Sequence, residues 1–194
     1  MYIIIFILCY LIGNFNAAYI YGKITKKTDI RQHGSGNAGT TNAIRVMGMK
    51  AGLIVFISDF LKGLAAVLLA GVLSDGKYAY AIAALAVIIG HNWPMFLKFK
   101  GGKGIATLIG TYTIIAPVPL LIALALAFII IYFTKWVSLA SLCGIYSIVI
   151  MLLITQGLSI STVLTLVIAV MSTFQHRQNI KRIIKGQENK IELY

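Results

Sequence analysis

Long apolar runs dominate this chain of 194 residues and limit it to folds that a lipid bilayer can accommodate. The runs occupy roughly residues 2–22, 51–73, 78–97, 105–133, 137–155 and 158–174. A helix needs about 20 apolar residues to cross a bilayer, so all but the fourth run fit one crossing each. Charged residues make up only 11% of the chain, about half their share in a soluble domain. The sequence therefore predicts an all-α polytopic membrane protein, with a single integral-membrane domain over residues 1–194.

The fourth run is too long for one comfortable crossing, and it carries Pro117 and Pro119 near its middle. If this run crosses twice, turning at residues 116–119, every cation of the chain except Lys62 and Lys77 falls on one face. The positive-inside rule places such a face in the cytoplasm. We therefore predict seven transmembrane helices, with the fourth and fifth short, the N-terminus outside and the C-terminus in the cytoplasm.

The charge balance indicates which partners the loops would bind. The formal net charge is +12, which in a membrane protein indicates cationic cytoplasmic loops. Anionic membrane lipid and phosphorylated substrates are the expected partners, rather than nucleic acid. The predicted cytoplasmic loops hold no cluster of carboxylates, which Mg²⁺ usually needs. We therefore expect neither a metal ion nor a cofactor.

The first polar segment contains a glycine-rich loop of small polar side chains that ends in an arginine. It reads Gly-Ser-Gly-Asn-Ala-Gly-Thr-Thr-Asn over residues 34–42, followed by Arg45. Glycines let backbone N–H groups approach a ligand closely, and hydroxyls, amides and a guanidinium add donors. A short surface helix from Thr41 to Met49 would present an N-terminus that favours an anion. A flexible connector is the plainer alternative, but it has no need for so many polar groups. The pattern predicts a phosphate site.

The second polar segment places Gly101-Gly102-Lys103-Gly104 directly before an apolar run. Open N–H groups, a lysine and a helix N-terminus resemble the physics of a phosphate loop. The segment is not a Walker A motif, because the first glycine and the hydroxyl residue after the lysine are absent. An ordinary basic flank is the alternative. His91, just upstream, is interpreted as a hydrogen-bonding residue at a helix end.

The third polar segment begins with His176 and Asn179, which share a face if the segment is helical. Lys181, Arg182 and Lys185 follow, and we interpret them as contacts for anionic headgroups.

Two further groups of polar residues lie inside or beside the apolar runs. Ser138 could cap the start of a helix, and Ser141, one turn further on, could bond a substrate or have no such role. Asp59 and Lys62 lie within the second run, where charges are costly unless they are paired. Mutual compensation is the preferred interpretation of this pair, and a direct substrate role is the alternative.

Taken together, these segments resemble one family, the bacterial acyl-phosphate-dependent glycerol-3-phosphate acyltransferases. The resemblance covers nearly the whole chain, in order and in spacing. It rests on the loop over 34–42, on Gly-His at 90–91 with Lys-Gly-Gly-Lys-Gly-Ile-Ala-Thr at 100–107, on His-Arg-Gln-Asn-Ile-Lys-Arg at 176–182, and on the segments 59–63 and 137–141.

The resemblance implies transfer of a fatty acyl group from acyl phosphate to the 1-hydroxyl of glycerol 3-phosphate. The products would be lysophosphatidic acid and inorganic phosphate, in phospholipid biosynthesis. It further implies a compact seven-helix fold in the bacterial inner membrane, with the active site on the cytoplasmic face. An upstream enzyme that makes acyl phosphate is a possible partner.

The resemblance also implies roles for individual residues. A phosphate pocket for the donor would comprise Ser35, Gly36, Asn37, Gly39, Thr40 and Thr41. Arg45 and Lys103 would hold glycerol 3-phosphate, and Gly101, Gly102 and Gly104 are predicted to bind substrate beside that lysine. Ser141, His176 and Asn179 would position the hydroxyls of the acceptor as catalytic residues, and either His176 or the donor phosphate would take the proton. A membrane transporter for a phosphorylated anion is the competing class, but it would need polar residues deep in the membrane, where only Asp59 and Lys62 lie.

Overall fold

Helices form nearly all the regular structure in the computed structural model, which describes residues 1–76 and 78–191. This part of the chain contains no strand and two short 3-10 turns, Ile30–Gln32 and Met95–Leu97. Its α-helices are α1 (Tyr2–Asn14), α2 (Ala17–Lys26), α3 (Thr40–Met47), α4 (Met49–Leu73), α5 (Ala79–Asn92), α6 (Ile105–Ile115), α7 (Pro117–Thr134), α8 (Val137–Gln156), α9 (Ile160–Gln175) and α10 (Arg177–Ile184). The predicted all-α class is confirmed.

Five stretches in the described part are long and apolar enough to cross a membrane. They are Tyr2–Lys26, Met49–Leu73, Ala79–Leu97, Pro117–Thr134 and Val137–Gln156. Two shorter apolar helices, Ile105–Ile115 and Ile160–Gln175, accompany them. These findings agree with a multi-pass integral membrane protein. The count of seven crossings and the orientation of the termini stay predictions.

The long fourth apolar run is divided where its prolines indicated. Helix α6 ends at Ile115, and α7 begins at Pro117. Both prolines lie in the first turn of α7, where a missing N–H breaks no helical hydrogen bond. Helix α6 has 11 residues and is short, as predicted. Helix α7 has 18 residues and is longer than expected, because its prolines begin the helix instead of shortening it.

The described chain forms two compact units, and the first comprises residues 1–115. Glycines let its helices approach closely, as small residues commonly do in membranes. A methyl group on Gly13 would overlap the Val87 carbonyl oxygen, and one on Gly90 would overlap the Tyr10 carbonyl oxygen. Helices α1 and α5 are therefore in backbone contact. This contact fixes the end of α5, from which the second polar segment continues.

The second unit comprises residues 116–194, described as far as Ile191. Helix α8 packs against α7 and α9, and the Tyr146 hydroxyl bonds the Thr173 hydroxyl at 3.0 Å. The C-terminal segment returns to the start of α8, where the N–H of Ile191 donates to the Lys135 carbonyl at 3.0 Å. The single domain predicted over residues 1–194 stays a prediction.

Candidate active site

One buried amide, Asn42 of α3, holds the glycine-rich loop in place. Asn42 is 2% exposed, and its Oδ1 accepts a hydrogen bond from the N–H of Ser35 at 2.8 Å. Its Nδ2 lies 3.2 Å from the carbonyl oxygen of Ile30, 3.0 Å from that of His33 and 2.9 Å from that of Asn37. The loop is therefore an ordered turn held by side-chain hydrogen bonds, not a flexible connector.

The glycines of this loop meet two different demands of the turn. Gly34 and Gly36 have φ angles of 59° and 73°, a left-handed conformation that costs other residues energy. A methyl group on Gly34 would also overlap the Asn42 Oδ1 atom. The sequence identified the glycine pattern but did not reveal that an amide in the following helix organises it.

Helix α3 begins directly after the loop, which confirms the predicted short helix. Gly39 is its N-cap and supplies no side-chain cap, and the first N–H groups of a helix have no partner within it. The Thr40 hydroxyl is buried and has no hydrogen-bond partner in the described structure. Gly36 is exposed on the loop before it, with its N–H bonded to the His33 carbonyl at 3.0 Å, and the exposed Ser35 adds a hydroxyl donor. These donors, together with the positive end of the helix dipole, suit an anion.

The second glycine loop is anchored to the end of α5. The N–H of Gly101 donates to the Asn92 carbonyl at 3.1 Å, and the N–H of Gly102 donates to the His91 carbonyl at 3.1 Å. Gly104 has a φ of 78°, and α6 begins at the next residue. Lys103 is half-buried in this loop. The loop therefore presents a lysine beside a helix N-terminus, as the sequence predicted. The prediction of open N–H groups is wrong for Gly101 and Gly102, because carbonyls at the end of α5 accept from both.

The first unit brings these two loops together. The N–H of Ala38 donates to the Gly101 carbonyl at 3.4 Å. The Arg31 guanidinium donates from Nη1 to the carbonyls of Leu97 at 2.8 Å and Lys100 at 3.2 Å. It also pairs with Asp29 at 2.7 Å, and this hydrogen-bonded pairing holds the pKa of the Asp29 carboxyl below its ordinary value. Sequence reasoning counted Arg31 only as a cytoplasmic cation and missed its structural role.

Arg45 lies in the last turn of α3 and is exposed. The first unit therefore contains every predicted phosphate-binding residue: Ser35, Gly36, Asn37, Gly39, Thr40, Thr41, Arg45, Gly101, Gly102, Lys103 and Gly104.

The buried charges of the first unit compensate one another, as the preferred interpretation held. Lys62 Nζ lies 2.7 Å from Asp59 Oδ1. It also lies 2.6 Å from the carbonyl oxygen of Phe15 and 2.8 Å from His91 Nδ1. Sequence reasoning missed the last two partners, which come from α5 and from the residue after α1.

The predicted catalytic residues lie in the second unit. His176 joins α9 to α10, is 2% exposed, and its Nδ1 lies 2.8 Å from the carbonyl oxygen of Ser172. A carbonyl can only accept, so Nδ1 carries a hydrogen, and Nε2 of the neutral ring is an acceptor. The Ser141 hydroxyl donates to the Val137 carbonyl within α8 at 2.8 Å.

A carboxylate that the sequence did not single out, Glu188, organises the surroundings of Asn179. Its Oε1 accepts from Asn179 Nδ2 at 2.6 Å and from the Ser138 hydroxyl at 3.0 Å. Its Oε2 accepts from Arg182 Nε at 2.8 Å. Burial raises the pKa of the Glu188 carboxyl, but these hydrogen bonds outweigh it and hold the pKa below its ordinary value. The helix cap considered for Ser138 is wrong, because Trp136 is the N-cap of α8, and Ser138 is turned toward Glu188.

We expect Glu188→Gln to destabilise the protein at neutral pH by about 1–3 kcal/mol, because a charged acceptor with three donors is lost. The folded-state pKa is depressed, so the carboxylate stabilises the fold above its unfolded pKa of about 4.3. That stabilisation is lost as the pH falls through the folded-state pKa. Thermal unfolding in detergent, recorded from pH 7 downward, should therefore show the two melting curves converging in acid.

Asp75→Asn is the control for this experiment, because Asp75 is an exposed carboxylate in the turn after α4. It should leave the melting temperature unchanged throughout. A difference between Glu188→Gln and the parent that stays constant with pH would contradict the assigned ionisation.

Known proteins resemble this chain over almost its whole length. The family model described as Glycerol-3-phosphate acyltransferase matches residues 3–186. A glycerol-3-phosphate acyltransferase of Thermoanaerobacter pseudethanolicus is 48% identical over 185 residues, which cover 95% of this chain and 93% of that protein. Glycerol-3-phosphate acyltransferase 2 of Bacillus anthracis is 44% identical over 191 residues, which cover 98% of this chain and 100% of that protein.

Two crystal structures share the fold. Both are of PlsY (YgiH), described as an integral membrane glycerol 3-phosphate acyltransferase. Its glycerol 3-phosphate form has a TM-score of 0.91 and 34% identity, covering 98% of this chain and 96% of that chain. Its lysophosphatidic acid form has a TM-score of 0.88 and 32% identity, covering 98% and 95%.

Proposed function

Since this chain belongs to the glycerol-3-phosphate acyltransferase family, we propose that it transfers a fatty acyl group from acyl phosphate to the 1-hydroxyl of glycerol 3-phosphate. Lysophosphatidic acid and inorganic phosphate are the products. The observation that carries the choice of donor is the pair of glycine-rich loops joined at Ala38 and Gly101. Two adjacent anion sites suit a reaction in which both substrates carry a phosphate.

The first loop is assigned to the donor phosphate. The unpartnered Thr40 hydroxyl and the N-terminal N–H groups of α3 supply donors without a formal charge. Such fixed dipoles stabilise negative charge as phosphate leaves. The donor site comprises Ser35, Gly36, Asn37, Gly39, Thr40 and Thr41.

The phosphate of glycerol 3-phosphate is assigned to Arg45 and Lys103. A guanidinium and an ammonium are the side chains best suited to bind a dianion. Gly101, Gly102 and Gly104 give the lysine-bearing loop its course along the end of α5.

The hydroxyls of the acceptor are assigned to Ser141, His176 and Asn179. The His176 ring is fixed by its Nδ1–H bond to a backbone carbonyl, so its Nε2 is oriented to accept from a hydroxyl. Asn179 is fixed in turn by its bond to Glu188. These restraints supply the positioning that lowers the entropic part of the barrier.

The chemical step needs no protein nucleophile, because an acyl phosphate is already activated. The 1-hydroxyl oxygen forms a bond to the acyl carbon, and the bond from that carbon to the phosphate oxygen breaks. The proton of the hydroxyl passes to the departing phosphate, whose second pKa is about 6. In support of this route, the Glu188 carboxylate bonds Asn179, and Nδ1 of His176 bonds a backbone carbonyl. If His176→Gln abolished turnover without weakening substrate binding, His176 would be the base instead.

The reaction is assigned to the cytoplasmic face of the bacterial inner membrane, as the cationic loops favour. An enzyme that produces acyl phosphate must then supply the donor.

Purified protein mixed with palmitoyl phosphate and glycerol 3-phosphate tests the proposed reaction. We expect equal amounts of lysophosphatidic acid and inorganic phosphate, measured by mass spectrometry and by phosphate release. Palmitoyl-coenzyme A is the comparison donor and should give no product. Product from palmitoyl-coenzyme A alone would overturn the choice of donor while leaving the acceptor in place.

A further inference from the structure

The buried cluster of Asp59, Lys62 and His91 lies against the second glycine loop, and the reaction proposed above gives it no role. The side chains of Asp59, Lys62 and His91 are 2%, 5% and 3% exposed, respectively. The backbone of His91 is part of that loop's anchor, because its carbonyl accepts from the N–H of Gly102. The imidazole lies on the same side, since a methyl group on Gly102 would overlap its Nε2 atom.

The contacts of Lys62 determine which nitrogen of His91 carries the hydrogen. An ammonium has three N–H donors and no acceptor. Lys62 Nζ has three acceptors around it: Asp59 Oδ1 at 2.7 Å, the Phe15 carbonyl at 2.6 Å and His91 Nδ1 at 2.8 Å. Nδ1 also lies 3.4 Å from Asp59 Oδ1, but this contact is longer than the 2.8 Å to Lys62 Nζ. Nδ1 therefore accepts from Lys62, and the neutral imidazole carries its hydrogen on Nε2. The Nε2 atom lies against Gly102, the residue before Lys103.

Helix packing alone does not account for such a cluster. Burying an ion pair costs several kcal/mol per ion, and apolar residues of similar volume often pack as well or better. Within a membrane the cost is high as well. The cluster does provide what an apolar trio cannot, a polar ring of fixed orientation against the loop backbone at Gly102.

We propose that His91 is a positioning residue for glycerol 3-phosphate binding. Asp59 and Lys62 fix its tautomer, and its Nε2–H holds the loop at Gly102 so that Lys103 meets the substrate phosphate. This inference rests on the assignment of Lys103 to glycerol 3-phosphate made above.

Two amide substitutions at His91 separate positioning from packing. Asparagine can place an oxygen near Nδ1 and keep the Lys62 partner, but it has no donor at the position of Nε2. Glutamine can place an N–H near Nε2. For His91→Asn we expect KM for glycerol 3-phosphate to rise about tenfold, with little change in kcat or in KM for palmitoyl phosphate. His91→Gln should restore KM close to the parent value.

A merely structural role predicts the opposite order, with His91→Asn the milder change because Lys62 keeps its partner. Thr111→Val is the matched control, since Thr111 is buried in α6 and its hydroxyl bonds the Leu108 carbonyl of the same helix. It should leave both KM values unchanged. Parent-like KM in His91→Asn, or a KM for His91→Gln as high as that of His91→Asn, would overturn the proposal.

A second variant tests the cluster without leaving a buried charge unpaired. Asp59→Leu combined with Lys62→Met removes both ions, so the tautomer of His91 is no longer fixed. We expect a folded protein by size-exclusion chromatography, with the same rise in KM for glycerol 3-phosphate. A folded double variant with parent-like KM would contradict the role of the pair.

Calorimetric titration with glycerol 3-phosphate alone gives the same comparison without an acyl donor. If the parent binds glycerol 3-phosphate but does not turn over palmitoyl phosphate, the proposed reaction fails while the positioning role is still decided by the affinities. Weaker binding by His91→Asn than by His91→Gln supports it, and equal affinities overturn it.

Discussion

Replacing Lys103 by methionine is expected to lower kcat/KM for glycerol 3-phosphate by about 100-fold, mainly through KM. Methionine keeps the length and apolar stem of the side chain but removes the ammonium. A hydrogen bond to a charged group contributes about 1.5–3 kcal/mol, and each 1.4 kcal/mol is about tenfold in affinity. Phosphate release measured against glycerol 3-phosphate concentration gives the effect directly.

Lys100→Met is the matched control for this prediction. Lys100 is exposed and lies three positions earlier in the same segment, so both variants change the net charge equally. We expect Lys100→Met to retain nearly the parent KM for glycerol 3-phosphate. The long-range electrostatic attraction of the cationic loops for the substrate is screened by salt, so the loss of one distant charge has little effect. An equal loss of kcat/KM for glycerol 3-phosphate in the two variants would show that Lys103 acts only through this long-range attraction and makes no direct contact with the substrate.

Asn42→Leu is expected to destabilise the first unit by about 3 kcal/mol and to raise KM for palmitoyl phosphate. Leucine has the same branched skeleton as the amide but leaves the Ser35 N–H and the carbonyls of Ile30, His33 and Asn37 without their partner. Buried polar groups without hydrogen bonds are costly. The loop should then lose the conformation that presents its donors to phosphate.

Thermal unfolding in detergent and KM for each substrate measure this effect. Gln32→Leu is the control, an exposed amide changed in the same segment, and it should alter neither quantity. A folded Asn42→Leu protein with parent-like KM for palmitoyl phosphate would remove the first loop from the donor site.

The sequence was most informative where structure depends on neighbouring residues. The length of each apolar run indicates the helices, and Pro117 marks where the fourth run divides, because proline suits the first turn of a helix. Gly34 and Gly36 mark a turn that needs left-handed backbone. Asp59 and Lys62 are one helical turn apart, so their pairing was also predictable.

The residues that hold the candidate site together could not be found in this way. Arg31 reaches Leu97, and Lys62 reaches His91, across spans of 66 and 29 residues. Glu188 reaches Ser138 across 50 residues. No local pattern specifies such partners, because side chains distant in sequence meet only after their helices have packed.

The sequence by itself therefore determined the membrane class, the glycine-rich loops and the residue types that suit phosphate. Hydrophobic length and backbone strain are local properties, and they can be read from neighbouring residues. Only the tertiary structure decided which side chains hold those loops in the first unit, Asn42 and Arg31, and which carboxylate, Glu188, holds Asn179 in the second unit. The reason is that a buried hydrogen bond needs its donor and acceptor within about 3 Å of each other, a distance that helix packing sets.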